Sequence, residues 1–122
     1  MKITFTRSGG IAGPATSIEG TVTFDGGVGH VTSSLGYQRD LAPEELQLLR
    51  AAVGQFPQEQ PAPPSQLRDA YQYDMRFVRG DGYTYNLAVY GEASPLGLEN
   101  LLGWIRRECD RIWSHRINTQ RN

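Results

Sequence analysis

The chain of 122 residues has little cysteine, almost no charge imbalance and no long apolar run. Its single cysteine, Cys109, cannot form an internal disulfide, which favours a reducing compartment and most simply the cytoplasm. The opening residues lack the apolar core of a secretory signal. No stretch of about 18 apolar residues occurs, so we expect no membrane-spanning helix. The net charge of −1 gives no general attraction to nucleic acid or anionic lipid.

The sequence also lacks the motifs of common enzyme chemistry. It contains no HExxH, no CxxC, no closely spaced histidine pair and no GxSxG nucleophile elbow. Cys109 lies on the apolar stripe of a predicted helix, where a buried and unreactive thiol is the usual outcome. We therefore expect no metal site, no cofactor and no enzyme active site.

Alternating apolar and polar residues predict strands in the first third of the chain. Residues 2–7 place Ile3 and Phe5 on one face, and residues 18–24 alternate in the same way. A turn follows at Asp25-Gly26-Gly27, after which VGHVTS predicts a third strand that its central glycine weakens.

The clearest alternation lies in the second half of the chain. Residues 71–79 and 83–90 both alternate aromatic or aliphatic residues with polar ones. The three residues Gly80-Asp81-Gly82 between them predict a hairpin loop. This segment is therefore expected to form two adjacent antiparallel strands.

Two segments show helical spacing instead. The first begins at Pro43, carries Leu46, Leu49 and Val53, and must end before Pro57. The second follows Ser94-Pro95, which suits a helix start. Its apolar stripe consists of Leu98, Leu101, Leu102, Ile105, Cys109 and Ile112, flanked by Trp104 and Trp113. Residues 57–66 between the two helices are proline-rich and predict an extended linker.

These elements predict an α+β domain. We expect an antiparallel sheet of about four strands with two main helices packed on one face, in the order ββ-α-ββ-α, with an extra hairpin at 18–33 as an option. Residues 1–113 would form the single domain, and residues 114–122 a polar, flexible tail. The last helix carries a cluster of basic residues, Arg106, Arg107, Arg111 and Arg116. Glu108 and Asp110 interrupt this cluster, which indicates a solvated helix face rather than a nucleic-acid surface.

The loop TRSGGIAGPAT is the unusual feature of the chain. It places Gly9, Gly10, Gly13 and Pro14 around a single aliphatic residue, Ile11. A dinucleotide-binding loop needs GxGxxG before a helix, whereas this loop has GGxxG before a predicted strand. Loops held between strands commonly display binding residues. From the residues alone, a plain glycine-rich turn with Ile11 on the core is the favoured interpretation.

Three segments together resemble the emfourin family, small proteinaceous inhibitors of thermolysin-like metalloproteases such as protealysin. SGGIAG after the first strand resembles the SGGFAG-like signature of that family. DLAPEELQLLRAAV resembles its helix entry, and DAYQYDMRFVRGDGYTYNLAVYGEASPLGLENLLGWI resembles its closing hairpin and final helix. The resemblance covers residues 1–13 and about 40–106. Residues 25–36 resemble an insertion, and Ile11 replaces the phenylalanine that the family pattern leads us to expect.

The resemblance implies reversible occlusion of the catalytic cleft of a zinc metallopeptidase, whose zinc belongs to the partner. The implied contact residues are Ser8, Gly9, Gly10, Ile11, Ala12, Gly13 and Pro14. The resemblance implies a cytoplasmic protein, and we expect it to be a monomer when free. The alternative is a non-enzymatic binding module with a non-protease partner, reached through the exposed sheet edge or the Trp104 and Trp113 surface.

Overall fold

The computed structural model describes residues 1–9, 17–25, 27–34, 36–54, 71–91 and 97–120. Six strands and two helices occupy these residues. The strands are β1 Lys2–Gly9, β2 Ile18–Asp25, β3 Val28–Thr32, β4 Gln38–Asp40, β5 Tyr71–Val78 and β6 Thr84–Tyr90, and the helices are α1 Pro43–Val53 and α2 Glu99–Gln120. The predicted α+β class is therefore confirmed.

The strands form one antiparallel sheet in the order β4-β3-β2-β1-β5-β6. The predicted count of about four strands was therefore too low. The optional third strand exists, and Gly29 within it faces the core, where an added Cβ would lie 2.8 Å from atoms of Leu41 and Phe24. The three-residue strand β4 was not predicted.

One face of the sheet carries the core and the other is open. The inward residues of the strands are the apolar ones that the alternation predicts, and Ile3, Phe5 and Phe77 are at most 1% exposed. The residues between them on the open face are mostly polar, with Lys2, Thr4, Thr23 and Arg76 among those exposed. The period-two pattern therefore determines which side of the sheet is buried.

Both helices pack on the core face, as predicted. Trp104 of α2 contacts Phe5 of β1 edge-on, with ring centroids 6.4 Å apart. Leu46 of α1 lies against the inward side of Gly29, because a Cβ there would meet its Cδ2 at 3.0 Å. The helices and the inward strand residues share one hydrophobic cluster.

Helix α1 begins at Pro43 and ends at Val53, close to the predicted bounds. Ala42 at its start has no side-chain acceptor, but the Ala42 N–H donates to Oε1 of Glu45 at 3.0 Å. Half of a capping box thus compensates for the poor cap residue. Phe56 and the proline-rich linker 57–66 lie outside the described residues.

Helix α2 is longer than predicted at its C-terminal end. The helix continues to Gln120. Residues 114–120, which we expected to belong to a flexible tail, are therefore helical. Its described part begins at Glu99, whereas Ser94 and Pro95 lie outside the described residues. Within the described residues, no helix is long and apolar enough to cross a membrane.

Candidate functional site at the end of β1

The structure places Ser8 and Gly9 at the end of β1, a strand with neighbours on both sides. Ser8 is paired with Gln72, and Gly9 with Tyr71, in β5. Gly9 has a φ of 78°, a conformation that favours glycine. The other predicted contact residues, Gly10, Ile11, Ala12, Gly13 and Pro14, lie outside the described residues. We use "loop base" for Arg7, Ser8, Gly9, Ser17 and Ile18, from which the chain leaves β1 and re-enters β2.

Arg7 is the buried cation of the loop base. Its side chain is 6% exposed, and Nη1 donates to Oδ1 of Asp110 in α2 at 2.8 Å. The guanidinium also lies over the Tyr71 ring, 4.6 Å from its centroid. Burial opposes the charged form, but the Asp110 contact and the charges and hydrogen bonds around it outweigh burial and raise the pKa of Arg7. Arg7 therefore remains a cation and ties the outgoing side of the loop to α2.

The returning side of the loop is also tied to α2. Nη1 of Arg116 donates to the carbonyl of Ser17 at 2.9 Å, just before β2 begins. The Arg116 guanidinium lies 5.9 Å from the Trp113 ring, so the side chain packs along its own helix as well. The chain is therefore held to the same helix on both sides of residues 10–16.

The end of β6 joins this arrangement through Arg106. Its Nη2 donates to the carbonyl of Gly91 at 3.0 Å, and its guanidinium lies 5.4 Å from the Tyr73 ring. The Gly91 N–H donates in turn to the Tyr71 carbonyl at 2.7 Å. Helix α2 thus fastens the ends of three strands at the end of the sheet that carries the loop.

Sequence reasoning missed these contacts. It assigned Arg106, Arg111 and Arg116 to a solvated helix face, whereas Arg106 and Arg116 bond backbone carbonyls and Arg111 donates to Glu108 at 3.3 Å. The only available signal was their spacing along the helix, which is also typical of a solvated face.

A second polar cluster lies between β4 and the two helices. Arg39 donates to Glu45 at 2.9 and 2.6 Å and to Glu108 at 3.1 and 2.6 Å. Tyr37 donates its hydroxyl proton to Glu108 at 2.5 Å, and Nε1 of Trp104 donates to Glu45 at 2.6 Å. Each carboxylate oxygen of Glu45 and Glu108 thus accepts at least two hydrogen bonds from the protein. The cluster therefore links β4 to the two helices and is not an open reaction site.

The electrostatics of this cluster agree with a structural role. Hydrogen bonds from Arg39 lower the pKa of Glu45 to about 2. Burial, with the adjacent Glu108 carboxylate, raises the pKa of Tyr37 to about 12. Both groups therefore keep one protonation state through the neutral range and are poorly matched to proton transfer near pH 7.

The candidate residues for metal binding and nucleophilic catalysis do not converge. Among the described residues, no group of three or more histidine, cysteine, aspartate and glutamate side chains could hold a metal ion. Cys109 is fully buried, and this burial raises the pKa of its thiol to about 12. His30 lines a shallow groove of about 420 Å³ with Thr32, Gln38, Arg39 and Asp40.

The tryptophans do not form the exposed surface that one alternative requires. Trp104 is 3% exposed, and Trp113 is half-buried against the core. These two tryptophans therefore offer a partner little exposed aromatic surface.

Comparison of the chain with protein-family models, with curated proteins and with solved structures gives no match.

Proposed function

We propose that this protein inhibits a thermolysin-like zinc metalloprotease by inserting residues 8–14 into the catalytic cleft. The observation that supports this most directly is the construction of the loop base. Arg7 and Ser17 flank the loop, and both are bound to α2, by a side-chain contact to Asp110 and a backbone contact to Arg116. Holding both ends of a binding loop lowers the conformational entropy that is lost on association.

The composition of the loop suits close approach by another protein. Gly9 and Gly10 have no Cβ, so a protease backbone and catalytic groups can come near the main chain. Ile11 supplies one aliphatic side chain for an apolar specificity pocket, and its burial would contribute roughly 1.5–3 kcal/mol. That amount is too small for tight binding, because nanomolar affinity requires about 12 kcal/mol. Neighbouring surface must therefore take part.

The residues next to Gly9 on the sheet are the candidates that we propose for this surface. Ser8, Gln72 and Tyr90 form one row across β1, β5 and β6 on the open face, next to Gly9. All three are half-buried, so each presents part of its side chain to a partner. The turn between β2 and β3 is at the opposite end of the sheet, since Asp25 pairs with Val28 beyond the Lys2–Thr23 pair. The first part of the 25–36 segment therefore lies away from the proposed contact.

The proposed inhibitor carries out no chemistry of its own. The zinc, the attacking water and the catalytic groups belong to the protease, and the inhibitor needs no cofactor. The implied cytoplasmic location stays a prediction. The expected monomeric free state is also untested, and the uncharged edge strand β6 argues against it.

Titration against thermolysin and a protealysin-like protease tests the proposal. We expect competitive inhibition by the wild type and at least a tenfold weaker inhibition by Ile11→Asp, because a carboxylate is costly to bury in an apolar pocket. Val28→Asp is the matched control: Val28 is also aliphatic, is 75% exposed and lies at the far end of the sheet. Equal inhibition by the two variants would contradict insertion of the loop, and no inhibition of either protease by the wild type would contradict the function.

A further inference from the structure

The two edges of the sheet are protected to very different degrees. The edge strand β4 has three residues, Gln38–Asp40, and includes a cation and an anion. Short edge strands and charged side chains are the usual means by which proteins prevent edge-to-edge pairing. The other edge strand, β6, has seven residues, TYNLAVY, with no charge, no proline and no glycine. Of the two edge strands in the described part of the chain, β6 alone lacks these protective features.

The hydrogen bonds of the β5–β6 hairpin show which residues of β6 point outward. Arg79 N–H donates to the Tyr83 carbonyl at 2.8 Å, and Gly91 N–H donates to the Tyr71 carbonyl at 2.7 Å. Bonded and non-bonded pairs alternate in an antiparallel ladder, so Tyr85, Leu87 and Val89 bond to β5. The outward N–H and C=O groups therefore belong to Thr84, Asn86, Ala88 and Tyr90.

We infer that β6 is a dimerisation edge that pairs antiparallel with β6 of a second copy of this chain, about a twofold axis at Leu87. That register places Thr84 opposite the second copy's Tyr90, and Asn86 opposite its Ala88. Every bonded pair then joins two outward residues, which is the parity that an antiparallel ladder requires. A twofold contact has to be self-complementary in this way.

The charges on the open face are compatible with the same register. Arg76 pairs with Asn86, and Asp74 with Ala88, in the β5–β6 ladder, and all four point to the open face. The twofold axis therefore places Arg76 of one copy in the same row as Asp74 of the other, with Asn86 and Ala88 between them at a separation of about 14 Å. No like charges face each other across the junction, and a net charge of −1 per chain produces little repulsion.

The geometry limits the assembly to two copies and leaves the loop ends accessible. Both copies use β6, and the remaining outer edges are the short charged β4 strands, which do not extend the sheet. Because β6 runs in opposite directions in the two copies, the ends that carry Gly9 point in opposite directions. This inference does not depend on the proposed inhibition.

Sedimentation equilibrium over a wide concentration range tests the inference, with two variants that differ at one position. In N86E/A88K each introduced glutamate lies opposite an introduced lysine of the second copy. The charges then alternate along each row, which runs from Asp74 of one copy to Arg76 of the other. In N86K/A88K two lysines face each other in each row. Cross-strand charge pairs have moderate energies, so we expect dissociation constants that differ by on the order of tenfold or more, with N86E/A88K the tighter dimer.

Ala88→Pro is a second variant, and it should fold like the wild type. It removes one outward N–H and leaves the bonds to β5 in place, so the circular dichroism spectrum should be retained while the dimer is lost. A wild type that stays monomeric at all concentrations, as it would if residues 55–70 of its own chain occupied the edge, overturns the inference. Equal dissociation constants for the two charged variants, or growth into large aggregates, overturn it as well.

Discussion

Arg39 and Glu108 form a two-point ion pair between an edge strand and the last helix. Nε of Arg39 donates to Oε1 at 3.1 Å and Nη2 donates to Oε2 at 2.6 Å. The side chain of Glu108 is fully buried, whereas that of Arg39 is 24% exposed. The same guanidinium binds both carboxylate oxygens of Glu45 in α1. One arginine thus joins β4 and the adjacent α1 to α2, whose Glu108 lies 69 positions further along the chain.

Replacing Glu108 is expected to destabilise the protein strongly. Glu108→Ala leaves the hydroxyl of Tyr37 without its acceptor. It also removes one of the two carboxylates that balance the charge of Arg39. Breaking a buried ion pair costs about 3–5 kcal/mol, and we expect the lower end because Glu45 remains. Urea unfolding followed by tryptophan fluorescence measures the change. The exposed Glu44 is the matched control, and Glu44→Ala should change stability by less than about 0.5 kcal/mol. An equal loss of unfolding free energy in the two variants would contradict a structural role for the Glu108 ion pair.

Most of the fold could be predicted from the sequence because its elements have strong periodic patterns. The alternation at 71–79 and 83–90 corresponds to the strands that the structure shows. The strand β4 has no such pattern: its sequence is QRD, and it is a strand because His30 and Thr32 of β3 pair with it. The C-terminal turns of α2 were missed for a related reason, since their contacts, such as Arg116 with Ser17, join distant parts of the chain.

The polar parts of the site were harder to predict. Arg7 is at the end of a strand where an exposed cation is usual, and its burial depends on Asp110, 103 positions further along. In the sequence, Glu108 interrupts a cluster of arginines and predicts a solvated helix face, whereas the structure buries it. A signal was nevertheless present, because Leu101, Ile105, Glu108 and Ile112 follow one another at spacings of three or four residues. A carboxylate on an apolar stripe indicates a buried, paired acid.

Gly20 is expected to resist even a small substitution. It is an inward position of β2, and an added Cβ would lie 2.3 Å from Cζ of the Phe5 ring. Gly20→Ala should therefore cost about 1–3 kcal/mol, because the buried ring has to move. Gly27→Ala is the control, since a Cβ there would meet nothing within 4 Å. If Phe5→Leu in the same chain did not lessen the effect of Gly20→Ala, the clash would not be its cause.

Acid should weaken the protein partly through Glu45. Its pKa is lowered from 4.5 to about 2, chiefly by hydrogen bonds from Arg39. The folded state therefore binds this proton less readily than the unfolded state. The resulting stability is present in full above about pH 4.5 and is lost as the pH falls toward 2, by an amount on the order of 2 kcal/mol. Glu45→Gln should be less stable at neutral pH and should show a flatter decline in urea-unfolding free energy across this window. A parallel decline in both proteins would contradict the assignment.

Cys109 should be unreactive in the folded protein. It has no exposed surface, and burial raises its thiol pKa to about 12, so almost no thiolate is present at pH 8. Ellman's reagent should react with it only after unfolding. The reaction rate in native buffer should increase with Glu108→Ala, because that variant opens more often. Rapid labelling of the native wild type would contradict the buried position of this thiol.

The ion pair at the loop base should respond unequally to loss of either partner. Asp110 is 74% exposed and Arg7 is 6% exposed, so each variant leaves a different residue alone. Asp110→Ala leaves a buried cation without its carboxylate, which we expect to cost about 1–3 kcal/mol. Arg7→Met leaves a carboxylate in water and keeps an apolar stem against Tyr71, so it should cost less. Chemical denaturation of the two variants decides the order. The reverse order would show that the stacking of Arg7 on Tyr71, rather than its charge pairing, holds the base of the loop.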